Sequence, residues 1–511
     1  MTTLSTHDAR RFAAPIAGSN LLAFAACGVV AVVAGLVTDV FAARGPVDGP
    51  GGLAVMALAL ATGLVGGVAT RSRWSILVMV LGYVIGVELG RRSLIAPTLA
   101  FRFDTAYGII AAVLTRGIHL VLMLLPLATG VLIGRSLAAR GDGRGAQRRL
   151  PTIGSALLSA LTIGLALLVA WPASTPPVLG RDGLPAPGGI AELATVRLGG
   201  ADQTVLIRAA DPEKPVLLYL SGGPGQSDLA LARVLGEPWT RDFVFADLDQ
   251  RGNGTSYAAI DPLDGMTLDR AVSDVIELTD YLRTRFDESR IYLMGESWGT
   301  ILGTLAVQRR PDLYHAWIAS GQMVDIVETD GRIYDDLRAY AAGQGDEALA
   351  AKLTEIGRPP YRDMPWANSN LLAWYDYLYP PYEPSAGYVA RGRGSGLDPF
   401  GALGSEYTFL EKTTVLRGLI DTFAAMYPQL YDLDLRQSAP RLEVPVYVLD
   451  GLAELGGRRD LMLEWFDALE APAKQRIEFA GAAHSVAFEQ ADEVLRLLTD
   501  EIVPATYEAS R

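Results

Sequence analysis

The sequence predicts an α/β domain, with a mostly parallel sheet and helices on both faces, preceded by an all-α transmembrane bundle. Three observations lead to this prediction. Apolar residues make up 50% of the 511-residue chain, a high share for a soluble protein, and long apolar runs are concentrated in its first third. After residue 190, short apolar runs alternate with segments of helical periodicity. Between residues 324 and 441 the alternation stops, which indicates a helical cap insertion.

Five apolar runs precede residue 172 and predict about five membrane-spanning helices over residues 1–171. The runs are Asn20–Ala43, Gly52–Thr70, Trp74–Leu89, Ile109–Gly134 and Gly154–Trp171. A helix needs roughly 20 residues to cross the hydrocarbon core, so the third run is short for a span.

The arginines indicate how these helices are oriented. If the N-terminus is cytoplasmic and all five runs cross, the inside segments carry Arg10, Arg11, Arg71, Arg73, Arg135, Arg140, Arg144, Arg148 and Arg149, and the outside loops carry Arg44, Arg91, Arg92 and Arg102. This excess on the inside follows the positive-inside rule. We therefore expect a multi-pass integral membrane protein whose α/β domain is extracytoplasmic.

Three ionisable residues, Glu88, Arg116 and His119, lie within or at the edge of the predicted spans. Charges in membranes are often functional, but no repeated transport motif accompanies these. The favoured interpretation is that Glu88 and Arg116 lie near an interface or pair with each other.

A proline- and glycine-rich segment joins the two predicted parts. It covers residues 172–190 and contains Pro172, Pro176, Pro177, Pro185 and Pro187. Such a composition produces an extended, semi-rigid tether, so the α/β domain is expected over residues 191–511.

Composition argues against several classes of function. The net charge of −13 leaves no basic face for nucleic acid. Cys27 is the single cysteine, so neither an intrachain disulfide nor a thiolate metal site is expected. Four scattered histidines do not predict a metal cluster either, and we expect no cofactor.

The α/β region can be followed element by element. The predicted elements are a hairpin over residues 191–209, strands over 215–220 and 243–248, an amphipathic helix over 267–286, and a strand over 290–294 followed by a helix over 300–309. The segment 324–441 has helical stretches at 334–342 and 347–356. It also contains the aromatic residues Trp366, Trp374, Tyr375, Tyr377, Tyr379, Tyr382 and Tyr388, for each of which packing is the favoured role.

Gly295-Glu296-Ser297-Trp298-Gly299 lies between a predicted strand and a predicted helix. This G-x-S-x-G pattern is typical of a nucleophile elbow, in which a serine occupies a strained strand-to-helix turn. Glycines are needed because side chains at the flanking positions would collide with neighbouring backbone. Ser297 is therefore the candidate nucleophile.

Three motifs follow one another along this region. They are Ser221-Gly-Gly-Pro-Gly, Asp249-Gln-Arg-Gly-Asn-Gly-Thr-Ser and Gly295-Glu-Ser-Trp-Gly-Thr. In this order and spacing they resemble the prolyl iminopeptidase (proline aminopeptidase) family of α/β-hydrolases. The resemblance extends from about Leu193 to the C-terminus and is weakest over 324–441. It implies an α/β-hydrolase fold with a cap.

The resemblance also implies which backbone groups bind the oxyanion. In the family, the glycine-rich turn after the third strand supplies one amide, which by position is that of Gly223. The amide of Trp298 is its partner. The family usually begins this turn with histidine, whereas this chain has Ser221, a change that leaves the backbone donors intact.

The order of catalytic groups in this fold is serine, acid, histidine, and that order selects the base. His7 and His119 precede Ser297, and His315 follows it too soon. His484 remains, after a predicted strand at 476–479 and before a terminal helix. It is the candidate general base.

Two carboxylates compete for the role of acid. In the family, a glycine, two further residues and an aspartate stand at the point that follows the predicted strand 444–449 here, a register that places the acid at Glu454. Asp450, at the end of the predicted strand 444–449, is the alternative.

These residues predict a membrane-anchored serine hydrolase that forms an acyl-enzyme. The resemblance implies an aminopeptidase that releases N-terminal residues such as proline from short peptides. Two alternatives remain: a carboxylesterase or lipase-like enzyme that reaches ester substrates at the membrane, and a non-catalytic membrane receptor or scaffold. Its expected partners are a small or short-peptide substrate and the lipid bilayer.

Overall fold

The computed structural model describes residues 18–42, 44–91, 94, 97–99, 102–141, 153–180, 182–361, 366–367, 371, 373–392 and 401–507. Backbone proximity divides the chain into two compact units. The first consists of residues 1–102, 109–172 and 408–410, and the second of residues 103–108, 173–407 and 411–511.

The N-terminal region is helical. Its helices are α1 (Gly18–Phe41), α2 (Gly49–Thr70), α3 (Ser75–Gly90), α4 (Ala106–Ala112), α5 (Ile118–Gly141) and α6 (Ile153–Ala170), with a π-helical turn at Val113–Gly117 between α4 and α5. Within the described ranges, four segments are long and apolar enough to cross a membrane: Leu21–Val40, Gly49–Thr70, Ala106–Ala139 and Ile153–Ala170. The short third run forms a helix of 16 residues.

Glycines allow these helices to approach one another closely. A Cβ atom at Gly63 would lie 2.0 Å from the Leu127 carbonyl oxygen, and one at Gly130 would lie 2.2 Å from the Leu60 carbonyl oxygen. The contact is thus reciprocal between α2 and α5. Such close approach of two backbones lets apolar helices gain packing energy.

The charged side chains near the helix ends pair as expected. Arg116 lies 2.9 Å from Glu88, and Arg91 lies 3.3 Å from the same carboxylate. The nitrogens of Arg91 and His119 are also in contact. Pairing lowers the cost of placing these charges among apolar residues.

The second unit contains an eight-stranded sheet in the order β1-β2-β4-β3-β5-β6-β7-β8. Its strands are β1 (Ile190–Leu198), β2 (Ala201–Ala209), β3 (Val216–Leu220), β4 (Val244–Asp249), β5 (Ile291–Glu296), β6 (Tyr314–Ser320), β7 (Val446–Gly451) and β8 (Lys474–Phe479). The hairpin β1–β2 is antiparallel, as predicted, and β2 also pairs antiparallel with β4. The pairs from β4–β3 to β7–β8 are all parallel, which confirms the predicted fold class.

Helices accompany this sheet. They are α7 (Leu229–Leu235), α8 (Leu268–Phe286), α9 (Trp298–Arg309), α10 (Ile326–Gln344), α11 (Glu347–Ile356), α12 (Ala386–Gly392), α13 (Glu411–Met426), α14 (Leu435–Ser438), α15 (Gly456–Ala468), α16 (Val486–Glu489), α17 (Ala491–Leu497) and α18 (Val503–Thr506). Helices α10 to α14 lie in the long connection between β6 and β7, where the sequence predicts a cap.

Two details of the sheet differ from the sequence analysis. Strand β6 was not anticipated, although all seven of its residues are buried. Strand β7 continues through Gly451, so Asp450 lies within the strand and not after it. Both differences matter for the candidate site, because the loops that carry the candidate acid and base follow strands β7 and β8.

Candidate active site

Ser297 lies in the turn that joins β5 to α9. Its backbone has φ 53° and ψ −120°, a conformation that side-chain-bearing residues rarely adopt. A Cβ atom at Gly299 would lie 2.2 Å from the Leu220 carbonyl oxygen, and one at Gly295 would lie 2.6 Å from the Gly299 carbonyl oxygen. Both glycines are therefore required by close backbone contact, and the turn has the form of a nucleophile elbow.

The glycine-rich turn after β3 lies beside Ser297. A Cβ atom at Gly222 would be 3.3 Å from the Cβ atom of Ser297. Gly223 follows it with φ 115°, and Trp298 is the first residue of α9. The first amides of a helix have no partner within the helix, so the Trp298 N–H is open to a ligand oxygen. Of the two predicted oxyanion donors, Trp298 thus follows the serine in the chain, and Gly223 follows a glycine that lies beside it.

Gln250 connects the two sides of this site. Its Oε1 accepts a hydrogen bond from Trp298 Nε1 at 2.8 Å. Its Nε2 donates to the carbonyl oxygen of Ser221 at 3.0 Å and to the Oγ of Ser221 at 3.1 Å. Gln250 belongs to the second motif. The sequence alone does not indicate its positioning role, because that role depends on contacts with Ser221 and Trp298, which are distant from it in the chain.

Glu454 and His484 are in direct contact. A hydrogen bond joins His484 Nδ1 to Glu454 Oε2, and Glu454 Oε1 accepts from the backbone N–H of Leu455 at 2.7 Å. The Arg458 guanidinium lies 3.3 Å from the same Oε1. Burial opposes ionisation of Glu454, but the charges of His484 and Arg458 and these hydrogen bonds lower its pKa to about 2.

Asp450, the alternative acid, is engaged elsewhere. Its two carboxylate oxygens accept from Arg459 at 2.8 Å each, and Arg476 contacts the same carboxylate. Asp450 is 2% exposed, so these arginines provide the charge compensation that burial demands. The geometry favours Glu454 over Asp450 as the partner of His484.

Ser297 and His484 are held near each other by their chain neighbours. Ser485 Oγ donates a hydrogen bond to Glu296 Oε1 at 2.7 Å. The carbonyl oxygen of Ser320 accepts from the backbone N–H of Ser297 at 3.1 Å. The Oγ of Ser320 accepts from the backbone N–H of Ala487, also at 3.1 Å. No hydrogen bond joins Ser297 Oγ to His484 among the described residues. Such contacts are often long in unliganded enzymes and tighten when substrate binds.

Gly321 makes room for the imidazole. It follows β6 with φ 59°, and a Cβ atom there would lie 2.9 Å from both Cε1 and Nδ1 of His484. Sequence reasoning missed this residue because the strand that precedes it was not recognised. His315 lies in that strand and is 3% exposed, consistent with its exclusion as the base.

Glu296, the residue before the nucleophile, is buried, and burial favours its protonated form. Burial raises the pKa of Glu296 to about 8. The negative charge of the nearby Asp228 also raises this pKa, whereas the hydrogen bond from Ser485 lowers it. A neutral Glu296 adds no net negative charge beside the position where an oxyanion would form.

The cap provides several carboxylates and a buried aromatic cluster. Tyr375 is 6% exposed and packs among apolar cap residues, which supports a packing role for it.

In the part of the chain that the structure describes, no three histidine, cysteine, aspartate or glutamate side chains are grouped to hold a metal ion.

Comparisons with known proteins agree with this fold. Residues 218–344 match the family described as serine aminopeptidase, S33. The chain is 27% identical over 308 residues to the probable aminopeptidase YbaC of Bacillus subtilis (strain 168), a match that covers 60% of this chain and 95% of the relative.

Two solved structures that the chain matches are a proline iminopeptidase and a proline iminopeptidase-related protein. The Mycobacterium smegmatis proline iminopeptidase has 18% identity and a TM-score of 0.40, with 61% of this chain and 100% of that chain covered. The proline iminopeptidase-related protein of Thermus thermophilus has 21% identity and a TM-score of 0.42, with 62% of this chain and 98% of that chain covered.

Proposed function

We propose that the chain is a serine hydrolase with Ser297, Glu454 and His484 as its triad. Its α/β-hydrolase fold and its similarity to proteins described as aminopeptidases support this proposal. The observation that carries this proposal is the contact between His484 Nδ1 and Glu454 Oε2 in loops tied to the Ser297 elbow. An imidazole fixed at Nδ1 by a carboxylate presents Nε2 as a base.

The reaction requires only groups of the chain and water. Ser297 Oγ attacks the acyl carbonyl while His484 Nε2 takes its proton, and the amides of Gly223 and Trp298 stabilise the oxyanion. His484 then gives the proton to the leaving group, and an acyl-enzyme remains. Water, activated by the same imidazole, releases the acyl group. Glu454, ionised because of its low pKa, stabilises the imidazolium formed in each step.

We further propose that the substrate is a short peptide from which an N-terminal residue, such as proline, is removed. The support is the serine aminopeptidase description of residues 218–344 and the aminopeptidase name of the Bacillus relative. An aminopeptidase must recognise an ammonium group, for which the cap offers the candidates Glu328, Asp330, Asp335, Asp336 and Asp376.

These cap carboxylates differ in their availability. Glu328 is paired with Arg332 and Arg436, and Asp335 is paired with Arg358. Asp330 is 7% exposed and accepts from the Tyr427 hydroxyl at 2.8 Å. Burial raises the pKa of Asp330 to about 7, so an approaching ammonium group would favour its ionised form. Of these three, Asp330 is the one without an ion pair among the described residues, and we propose it as the partner of the amine.

A paired assay tests the substrate class. The detergent-solubilised full chain should cleave prolyl or alanyl arylamides at least about tenfold faster than the same arylamides with an acylated amine, because a recognised ammonium group contributes a charge-assisted bond. The Ser297→Ala variant supplies the background. Equal cleavage of the free and the acylated arylamides, or cleavage of aryl esters alone, would contradict the proposed aminopeptidase activity. Either result would favour an esterase.

We also propose that the N-terminal helices anchor the enzyme in a membrane with its catalytic unit outside the cytoplasm. Four described segments are long and apolar enough to cross. The arginine distribution supports an inside position for the loop around Arg144, which lies outside the described residues, and an outside position for Asp182.

Cysteine labelling tests this orientation. In a Cys27→Ala background, a cysteine at position 182 should react with a membrane-impermeant maleimide in intact cells, whereas a cysteine at position 144 should react only after permeabilisation. Permeabilised cells serve as the control that both positions are reactive. The opposite pattern would invert the orientation.

A further inference from the structure

We propose that Arg458 is a positioning residue that joins the cap to the acid of the triad. It would hold the Glu454–His484 pair in its reactive charge state and fix the cap tyrosines above it. The inference rests on the proposed role of Glu454 and assigns a role that the sequence motifs do not contain.

The contact with Glu454 is local and buried. Arg458 lies in the first turn of α15, four residues after Glu454, and its Nη1 is 3.3 Å from Glu454 Oε1. The two side chains are 12% and 6% exposed. A charge pair shielded from water interacts more strongly than an exposed one, so the guanidinium has a large effect on this carboxylate.

The same guanidinium contacts the cap. Its Nη1 is 3.3 Å from the Tyr379 hydroxyl, and its Cζ lies 5.1 Å from the centre of the Tyr375 ring. A guanidinium in this position over an aromatic ring makes a cation–π contact. One side chain therefore touches the triad acid and two cap residues.

The base loop has a parallel connection to the cap. Glu489 Oε2 accepts from the backbone N–H of Ala483, the residue before His484, at 2.6 Å. Glu489 Oε1 accepts from the cap residue Tyr382 at 3.2 Å. The cap segment 375–382 is thus tied to the acid loop through Arg458 and to the base loop through Glu489, so Arg458 is part of a two-point attachment.

Removing the charge of Arg458 should make the Glu454–His484 pair easier to protonate. The active form carries a neutral imidazole and an ionised carboxylate, and a neighbouring positive charge opposes addition of a proton to that pair. In Arg458→Met, the acidic limb of the pH profile of kcat/KM should therefore move to higher pH, by about one unit. The value at the optimum should fall about tenfold, since Glu454 loses a contact that orients it.

The test compares Arg458→Met with four further variants of the full chain in detergent. Arg458→Lys keeps the charge and should leave the acidic limb within about 0.3 units of the wild type. Arg459→Met is the matched control, because Arg459 is the next residue on α15 and pairs with Asp450. Arg458→Gln repeats the removal of charge with a polar side chain, in case the methionine variant does not fold. Tyr379→Phe, which removes only a cap contact, should raise KM without moving the limb.

An unshifted acidic limb in both Arg458→Met and Arg458→Gln, or an equal shift in Arg459→Met, would overturn the inference. This failure differs from failure of the proposed function. Suppose that Ser297→Ala and Glu454→Gln abolish turnover, while the acidic limb of the kcat/KM profile is unchanged in the Arg458 variants. The triad is then supported and the proposed role of Arg458 is wrong. If those two variants retain turnover, the proposed function itself is wrong.

Discussion

Replacement of Ser297 by alanine is expected to abolish both hydrolysis and labelling by a fluorophosphonate probe. Without Oγ no acyl-enzyme can form, and turnover should fall on the order of a million-fold, the scale known for loss of other triad nucleophiles. The fold should be unaffected. In the described residues Ser297 Oγ makes no hydrogen bond, so its removal breaks none.

The control is Ser273→Ala, at a half-buried position of α8, where the hydroxyl donates to the carbonyl of Asp269 and to no other described residue. This variant should label and turn over like the wild type. Both variants should unfold at the same temperature as the wild type in detergent. Persistent labelling of Ser297→Ala would show that another residue is the nucleophile. Absence of labelling in the wild type would favour a non-catalytic receptor or scaffold.

Glu454→Gln is expected to lower kcat by about 10⁴-fold with little change of fold. The glutamine keeps the shape of the side chain, but its amide has no charge to stabilise the imidazolium and can hold His484 in the wrong tautomer. Since Glu454 is ionised well below neutral pH, the loss should persist across the neutral range. The measurement is kcat at saturating substrate, together with the rate of probe labelling.

Asp450→Asn is the matched comparison and should act on stability instead. It removes the carboxylate that compensates Arg459 and Arg476, which are about a quarter exposed. Their partial exposure limits the loss to about 1–3 kcal/mol of unfolding free energy. Turnover should stay within about tenfold of the wild type. If Asp450→Asn lost more turnover than Glu454→Gln, the role of acid would move to Asp450.

The regular part of the fold could be predicted because its signals are local. Alternation of apolar strands with the amphipathic helix α8 predicted a mostly parallel sheet, and the glycines around Ser297 predicted the strained turn after β5. Strand β6 was missed because the apolar run in Tyr314–Ser320 is short, from Ala316 to Ala319, and polar residues flank it. Its parallel pairing with β5 and β7 on both sides, which no local pattern encodes, makes it a strand.

The sequence by itself determined the candidate nucleophile and base, since Ser297 lies in a motif with local steric requirements and His484 is selected by chain order. Only the tertiary structure distinguished Glu454 from Asp450. The extension of β7 through Gly451 places Asp450 beside the arginines of α15 and β8, whereas the following loop brings Glu454 to His484. The roles of Gln250, Gly321 and Arg458 likewise appeared only in three dimensions. Each depends on contacts between segments distant in the chain, whose geometry is set by packing and not by the residues on either side.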